Sequence, residues 1–184
     1  MKTLTILASL LFALTLHLHA EGGSVRLDVV QNVKNHGGGA NGTTTQSRVL
    51  VITLNNTSKA QMDNLTVKYW FFARDVKGGG NLSVQKSGEG KVSLPPAGRQ
   101  VVTTENATST YTTQHNEVAG NQAQVVNGRQ INVPQIRRVE ASGKRIVAHA
   151  VRVFDGEKIV GEYYSEYSLR QKMGVPAPEP AAAK

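Results

Sequence analysis

Apolar residues in this chain recur at every second position, a period that restricts most of it to β-strands. Val25, Leu27 and Val29 alternate with Arg26 and Asp28, which predicts a first strand near Ser24 to Val33. Arg48 to Asn55 reads as a second, with Leu50, Ile52 and Leu54 on one face and Val49 and Val51 on the other. Leu65 to Asp75 is a third. Weaker strands are expected at Leu82 to Lys86 and at Lys91 to Leu94, before Pro95-Pro96-Ala97-Gly98 turns the chain into Arg99 to Thr104. The last hairpin is the clearest, with Ile146 to Phe154, the two-residue turn Asp155-Gly156, and Lys158 to Tyr167. Outside the N-terminal segment, only Tyr167 to Met173 carries a helical pattern.

Two stretches separate these strands. Asn35 to Thr45, rich in Gly, Asn and Thr, has the composition of a loop. Asn106 to Gly143 is polar and too long for bare coil in a compact domain, so an inserted β-ribbon is expected there. Val125-Val126, Asn127-Gly128 and Ile131 to Val133 mark its hairpin. Seven or more short strands with turns between them predict an all-β fold, an immunoglobulin-like antiparallel β-sandwich with an inserted β-hairpin. The chain has no Cys, so the disulfide of antibody domains is missing and stability must come from burial and backbone pairing.

Residues Leu4 to Leu18 form a nearly unbroken apolar run behind Lys2, with a small residue at Ala20. That is the pattern of a secretory signal peptide over residues 1–20, cleaved before Glu21. The expected organisation is a leader at 1–20, one domain over 21–173 and a disordered Pro/Ala-rich tail over 174–184. The expected location is the periplasm, the outer membrane surface or the exterior, with no transmembrane segment in the mature chain.

Loss of Lys2 with the leader leaves 20 Lys and Arg against 13 Asp and Glu, a net charge of +7 on roughly 164 residues. Net charge speaks first to solubility. The densest basic groups are Arg137-Arg138 and Lys144-Arg145, and no repeated module interleaves them with aromatics, so a nucleic-acid partner is not expected.

The third strand departs from a sheet with one wet face. Tyr69, Phe71 and Ala73 point one way and Trp70 and Phe72 the other, so something must cover the second face. Either the chain covers it, through the Asn106 to Gly143 ribbon or the Tyr163-Tyr164 segment, or a partner protein docks on Trp70 and Phe72. Tyr163, Tyr164 and Tyr167 beside Glu162 and Glu166 could stack on sugars, or stand as ordinary half-buried strand tyrosines.

Catalytic patterns are absent from the sequence. His36, His115 and His149 are isolated, so a metal site would need them to converge in space. Asp155-Gly156-Glu157 lacks the alternating acids of a calcium loop, and the Ser, His and Asp residues sit in no nucleophile context. No cofactor and no enzymatic activity are expected. Asn41, Asn55, Asn56, Asn64, Asn81 and Asn106 open Asn-x-Ser/Thr triplets, as chance allows in a chain this rich in Asn, Ser and Thr, and the compact leader has a bacterial look.

The order Val49 to Ser58, Leu65 to Asp75, Leu94-Pro95-Pro96-Ala97-Gly98 and Val151 to Val160 is similar to small exported immunoglobulin-like domains, over about Val25 to Tyr167. More narrowly, the chain resembles the small immunoglobulin-like proteins of gut mucin-degrading bacteria that accompany type IV pilus-like components, themselves similar to the globular domains of archaeal-type pilins. It departs from a type IV pilin, in which a long hydrophobic helix with an early Glu follows the leader. Here Gly22-Gly23-Ser24 runs straight into a strand. The resemblance therefore implies an accessory or surface-associated subunit.

The sequence thus leads to a non-enzymatic exported domain acting by contact with a protein partner or with itself, as a cell-envelope or pilus-associated structural or adhesion component. Trp70, Phe72 and free sheet edges are its candidate contacts. The alternative is a module for anionic glycans, with Arg137, Arg138, Lys144 and Arg145 supplying charge and Tyr163 or Tyr164 supplying stacking.

Overall fold

The computed structural model describes residues 24–38, 42–78, 80–127 and 129–174. The expected leader, and the expected tail beyond Gly174, lie outside the described residues. β1 (Val25–Gly37) and β2 (Thr43–Asn56) pair antiparallel from Val25↔Asn56 to Gly37↔Thr44. The pairing therefore runs through much of the Asn35 to Thr45 stretch that reads as loop. Its threonines carry the extension. Thr43 and Thr45 meet Thr112 and Thr110 through hydroxyl contacts of 3.0 and 3.2 Å, the cross-strand pairing that β-branched hydroxyls favour.

β3 (Met62–Asp75) pairs with β4 (Ser83–Leu94), a single strand where the sequence suggests two. The middle of β4 stays in the sheet because Gly88 sits opposite Tyr69. A Cβ there would lie 2.2 Å from the tyrosine Oη, so only glycine leaves room for the ring. β5 (Arg99–Thr103) and β6 (Ala107–Thr112) follow one another along the free side of β2. Thr104, between them, accepts a hydrogen bond from the Leu50 amide on its hydroxyl at 3.0 Å, so the break leaves no buried donor orphaned. β7 (His115–Val126) and β8 (Arg129–Val139) form a separate two-stranded ribbon. β9 (Ser142–Asp155) and β10 (Lys158–Tyr164) make the closing hairpin, and α1 (Tyr167–Lys172) ends the fold.

Two sheets result, β1-β2-β5/β6 and β4-β3-β9-β10, joined at one corner where β6 touches β9 through Tyr111↔Gly143 and Thr112↔Ser142. This is an all-β antiparallel sandwich of immunoglobulin-like type, with the β7–β8 hairpin inserted between β6 and β9. Its core lies between the sheets. Leu50, Ile52 and Leu54 of β2 belong to the same buried cluster as Val67, Tyr69 and Phe71 of β3 and Val151 and Val153 of β9. Burial of a side chain such as Phe71 contributes about 2–3 kcal/mol. Trp70 and Phe72 face outward from the second sheet, as the alternation in β3 requires.

Candidate contact surfaces

The outward face of β3 is covered by the chain itself. Phe72 is 8% exposed and joins Ala148, Ala150 and Leu169 in a second small core, with Trp70, Tyr164 and Met173 packed against it. Tyr164 is part of this cover, as the sequence suggests; the ribbon is not, and its place is taken by α1. Arg152 ties the layer together. Its guanidinium lies 6.0 Å from the Trp70 ring centroid and 5.7 Å from that of Tyr164. Its Nε donates to Tyr164 Oη at 2.8 Å and a terminal nitrogen donates to the Met173 carbonyl at 3.1 Å. The Tyr164 hydroxyl donates to Glu162 at 2.9 Å, and Glu162 also holds Arg170 of α1 at 2.8 Å. Burial, ahead of these polar contacts, raises the Tyr164 pKa.

The six residues of the glycan reading are not brought together. Tyr163 and Tyr164 occupy opposite faces of the second sheet. Tyr163 stacks on His149 between the sheets, with ring centroids 5.7 Å apart, while Tyr164 packs outside. Arg137 and Arg138 are neighbours on a strand of the ribbon and so point to opposite faces. Each meets a carboxylate: Arg137 Nε donates to Glu117 at 3.0 Å, and Arg138 reaches Glu140 at 3.2 Å. Lys144 donates to Ser83 Oγ at 3.1 Å. Arg145 lines an open cleft of about 680 Å³ at the foot of the ribbon, with Arg74 and Lys77 but also with Asp75 and Glu140.

A polar cluster between the sheets has no counterpart in the sequence reading. Arg48 donates to Gln31 Oε1 at 3.0 Å, and Gln31 Nε2 lies 3.3 Å from His149 Nδ1. Because the Gln31 oxygen is taken by Arg48, its amide nitrogen donates to Nδ1, which places the imidazole proton on Nε2. That Nε2 and the Arg48 Nε are buried without a partner. Burial, and secondarily Arg48, lowers the His149 pKa to about 4. The Arg48 pKa is lowered as well, by burial and then by Arg145. Among the described residues, no three His, Cys, Asp or Glu side chains are grouped so as to hold a metal ion, and His36, His115 and His149 do not converge.

The β7–β8 ribbon is the most exposed element. From Val118 to Val126 every β7 residue is exposed, and on β8 only Val133 and Val139 are partly covered. Val118, Val125, Val126, Ile131 and Ile136 all stand in solvent, Val125 at 74%. Val126↔Arg129 is the closing, hydrogen-bonded pair of the ribbon, and bonded and non-bonded pairs then alternate. Asn121↔Pro134 is a non-bonded pair, so the N–H that Pro134 lacks is missing from the outer edge of β8. The outer edge of β7 is interrupted once, by a bulge between Val118 and Gly120. From Val118 to Val126 it carries neither charge nor proline, and the backbone groups of Asn121, Ala123 and Val125 face outward.

No family model matches the chain, and no curated protein is significantly similar to it. Among solved structures it is similar to a target of the Northeast Structural Genomics Consortium, at 15% identity over 64% of this chain and 86% of that one, with a TM-score of 0.34. It is also similar to a protein from Akkermansia muciniphila, at 13% identity over 88% of this chain and 81% of that one, with a TM-score of 0.33. Likenesses this slight carry no argument. The fold class rests on the strands and their register, and the surfaces above must be judged by their own chemistry.

Judged so, they differ in kind. The aromatic face is already covered by α1, and Arg137 and Arg138 each meet an acid. The ribbon combines several solvent-facing aliphatic side chains with an open strand edge that is uncharged from Val118 to Val126. Its apolar residues are spread over both faces, so the periodicity of the sequence there signals strands without signalling a core.

Proposed function

We propose that the chain is a non-enzymatic exported domain that works by protein contact, as a structural or adhesion component of the cell envelope or of a pilus-like assembly. The observation that carries this reading is the β7–β8 ribbon, which leaves the sandwich and presents exposed Val118, Val125, Val126, Ile131 and Ile136 on a two-stranded sheet. Two strands alone are marginal in water, and a third strand or a packed face is what stabilises them. The sandwich serves as the rigid base, and the ribbon as the element that finds its partner through strand addition. Among the described residues no helix is long and apolar enough to cross a membrane.

The test replaces Asn116 to Arg138 by a short Gly-Ser link. The shortened domain should keep the buried emission of Trp70 yet wash off the envelope fraction of the producing cells, where the whole chain is retained. Equal retention of both forms overturns the reading.

Anionic glycan binding keeps one supporting feature, the cleft in which Arg74, Lys77 and Arg145 gather. Asp75 and Glu140 in the same wall offset it. Salt-sensitive binding to mucin-type glycans that is lost in Arg74→Ala with Arg145→Ala would favour this alternative.

A further inference from the structure

We infer that the free edge of β7 pairs with the same edge of a second copy of this chain, joining two ribbons into one four-stranded antiparallel sheet with the strand order β8-β7-β7-β8. The inference rests on the contact reading above and names the partner. Its first support is the asymmetry of the ribbon. Edge strands that remain single are protected by Pro, charge or distortion, and β8 has Pro134 at that position. The β7 edge has a bulge between Val118 and Gly120, but from Asn121 to Val126 it is regular, uncharged and free of proline, which leaves that part open to strand addition.

Its second support is that β7 is complementary to itself. In an antiparallel pair of identical strands the two-fold axis passes through one residue, and the outward-facing backbone groups restrict the choice. With the axis at Ala123, the amides and carbonyls of Asn121, Ala123 and Val125 in one copy meet those of Val125, Ala123 and Asn121 in the other. That makes about six inter-chain hydrogen bonds. The smallest side chain of the three lies on the axis, where the two copies come closest. Gly120 then lies opposite Val126, and Gln122 opposite Gln124, so no like charges are juxtaposed and no two bulky residues collide. Val125 gains Asn121 of the second copy as a cross-strand neighbour, and the enlarged sheet has the strand number that an isolated hairpin lacks.

The third support is charge. The net charge of the chain is +8, so two copies repel when their bodies approach. Antiparallel ribbons put those bodies at opposite ends. From Ala123 to His115 is eight residues along β7, so the two sandwiches stand about 50 Å apart at about 3.3 Å per residue. That is several times the Debye length of about 8 Å at physiological salt, and the repulsion is screened.

The experiment is sedimentation velocity of residues 21–184 from micromolar to several hundred micromolar, on the unchanged chain and two variants. Ala123 and Asn132 form a non-bonded pair, so Ala123→Pro and Asn132→Pro each remove an outward N–H without breaking the ribbon's own ladder. The unchanged chain and Asn132→Pro should dimerise alike. Ala123→Pro should raise the dissociation constant by at least about tenfold, because both bonds at the axis are lost. Trp70 emission and far-ultraviolet circular dichroism check that each variant is folded. A chain that stays monomeric throughout, or two proline variants that behave alike, overturns the inference. If it is overturned while replacement of the ribbon still releases the chain from envelopes, the contact reading stands and the partner is a different protein. If the ribbon-less chain is retained as well, both fall.

Discussion

The guanidinium of Arg170 meets the carboxylate of Glu162 at 2.8 Å, and their side chains are only 17% and 9% exposed. This contact fastens α1 across the outer face of β3, β9 and β10. It joins a chain of polar contacts running from Trp70 through Arg152 and Tyr164, so the helix is held by more than Leu169. α1 has six residues, too few to be stable by itself. Its helical state therefore depends on this docking.

Removal of one partner should release the helix. Arg170→Ala leaves the Glu162 carboxylate in a largely dry site and should cost about 3 kcal/mol. Trp70 should become more accessible to a neutral quencher and its emission should move to the red. The double variant Arg170→Ala with Glu162→Ala should cost less than the sum of the single changes, and additive costs would show that the pair is not coupled.

His149 should make the sandwich acid-sensitive. Its folded pKa of about 4 lies below the ordinary value of 6.5, mainly because of burial, so the unfolded chain takes up a proton first as pH falls. Its contribution to stability is complete above about pH 6.5 and is lost progressively toward pH 4, by about 3 kcal/mol in all. Urea unfolding measured between pH 7 and pH 4 should show that decline. His149→Gln, which cannot titrate, should flatten it; an unchanged slope would place the sensitivity in another group.

Gly88 should tolerate no side chain while Tyr69 is present. Gly88→Ala places a methyl group 2.2 Å from the Tyr69 hydroxyl and 2.4 Å from its Cζ, and should destabilise by about 1–3 kcal/mol. In a Tyr69→Leu background, where the ring is gone, the same change should cost far less. Equal costs in both backgrounds, read by thermal unfolding, would show that β4 moves away instead.

Strands β2, β3, β5, β9 and β10 were legible because the information is local. Alternation, the turn residues Asp155-Gly156 and Pro95 to Gly98, and the two-sided aromatic run of β3 all act within a few positions. Legibility failed where local composition opposed pairing. The Gly- and Thr-rich stretch around Gly37 and Thr43 is strand because β6 supplies hydroxyl partners, and Ser87 to Gly90 is strand because Tyr69 lies across it. Of the Asn106 to Gly143 stretch, its first residues became β6 and the remainder a ribbon longer on both sides than its hairpin signal.

By itself, then, the amino-acid sequence determined the β-class, the inserted hairpin and the outward placing of Trp70 and Phe72, since period and turn chemistry act between near neighbours. What covers that face, which charges are matched and where a histidine is buried were decided only by tertiary structure. Gln31 and His149 are 118 positions apart and meet because β1 and β9 lie in facing sheets. Arg145 shares its cleft with Glu140, and Tyr163 parts from Tyr164, because the register of β9 and β10 sends neighbours to opposite faces. The free edge of β7 belongs to both levels. Its lack of charge is written in the sequence, but only the pairing shows which backbone groups it leaves open.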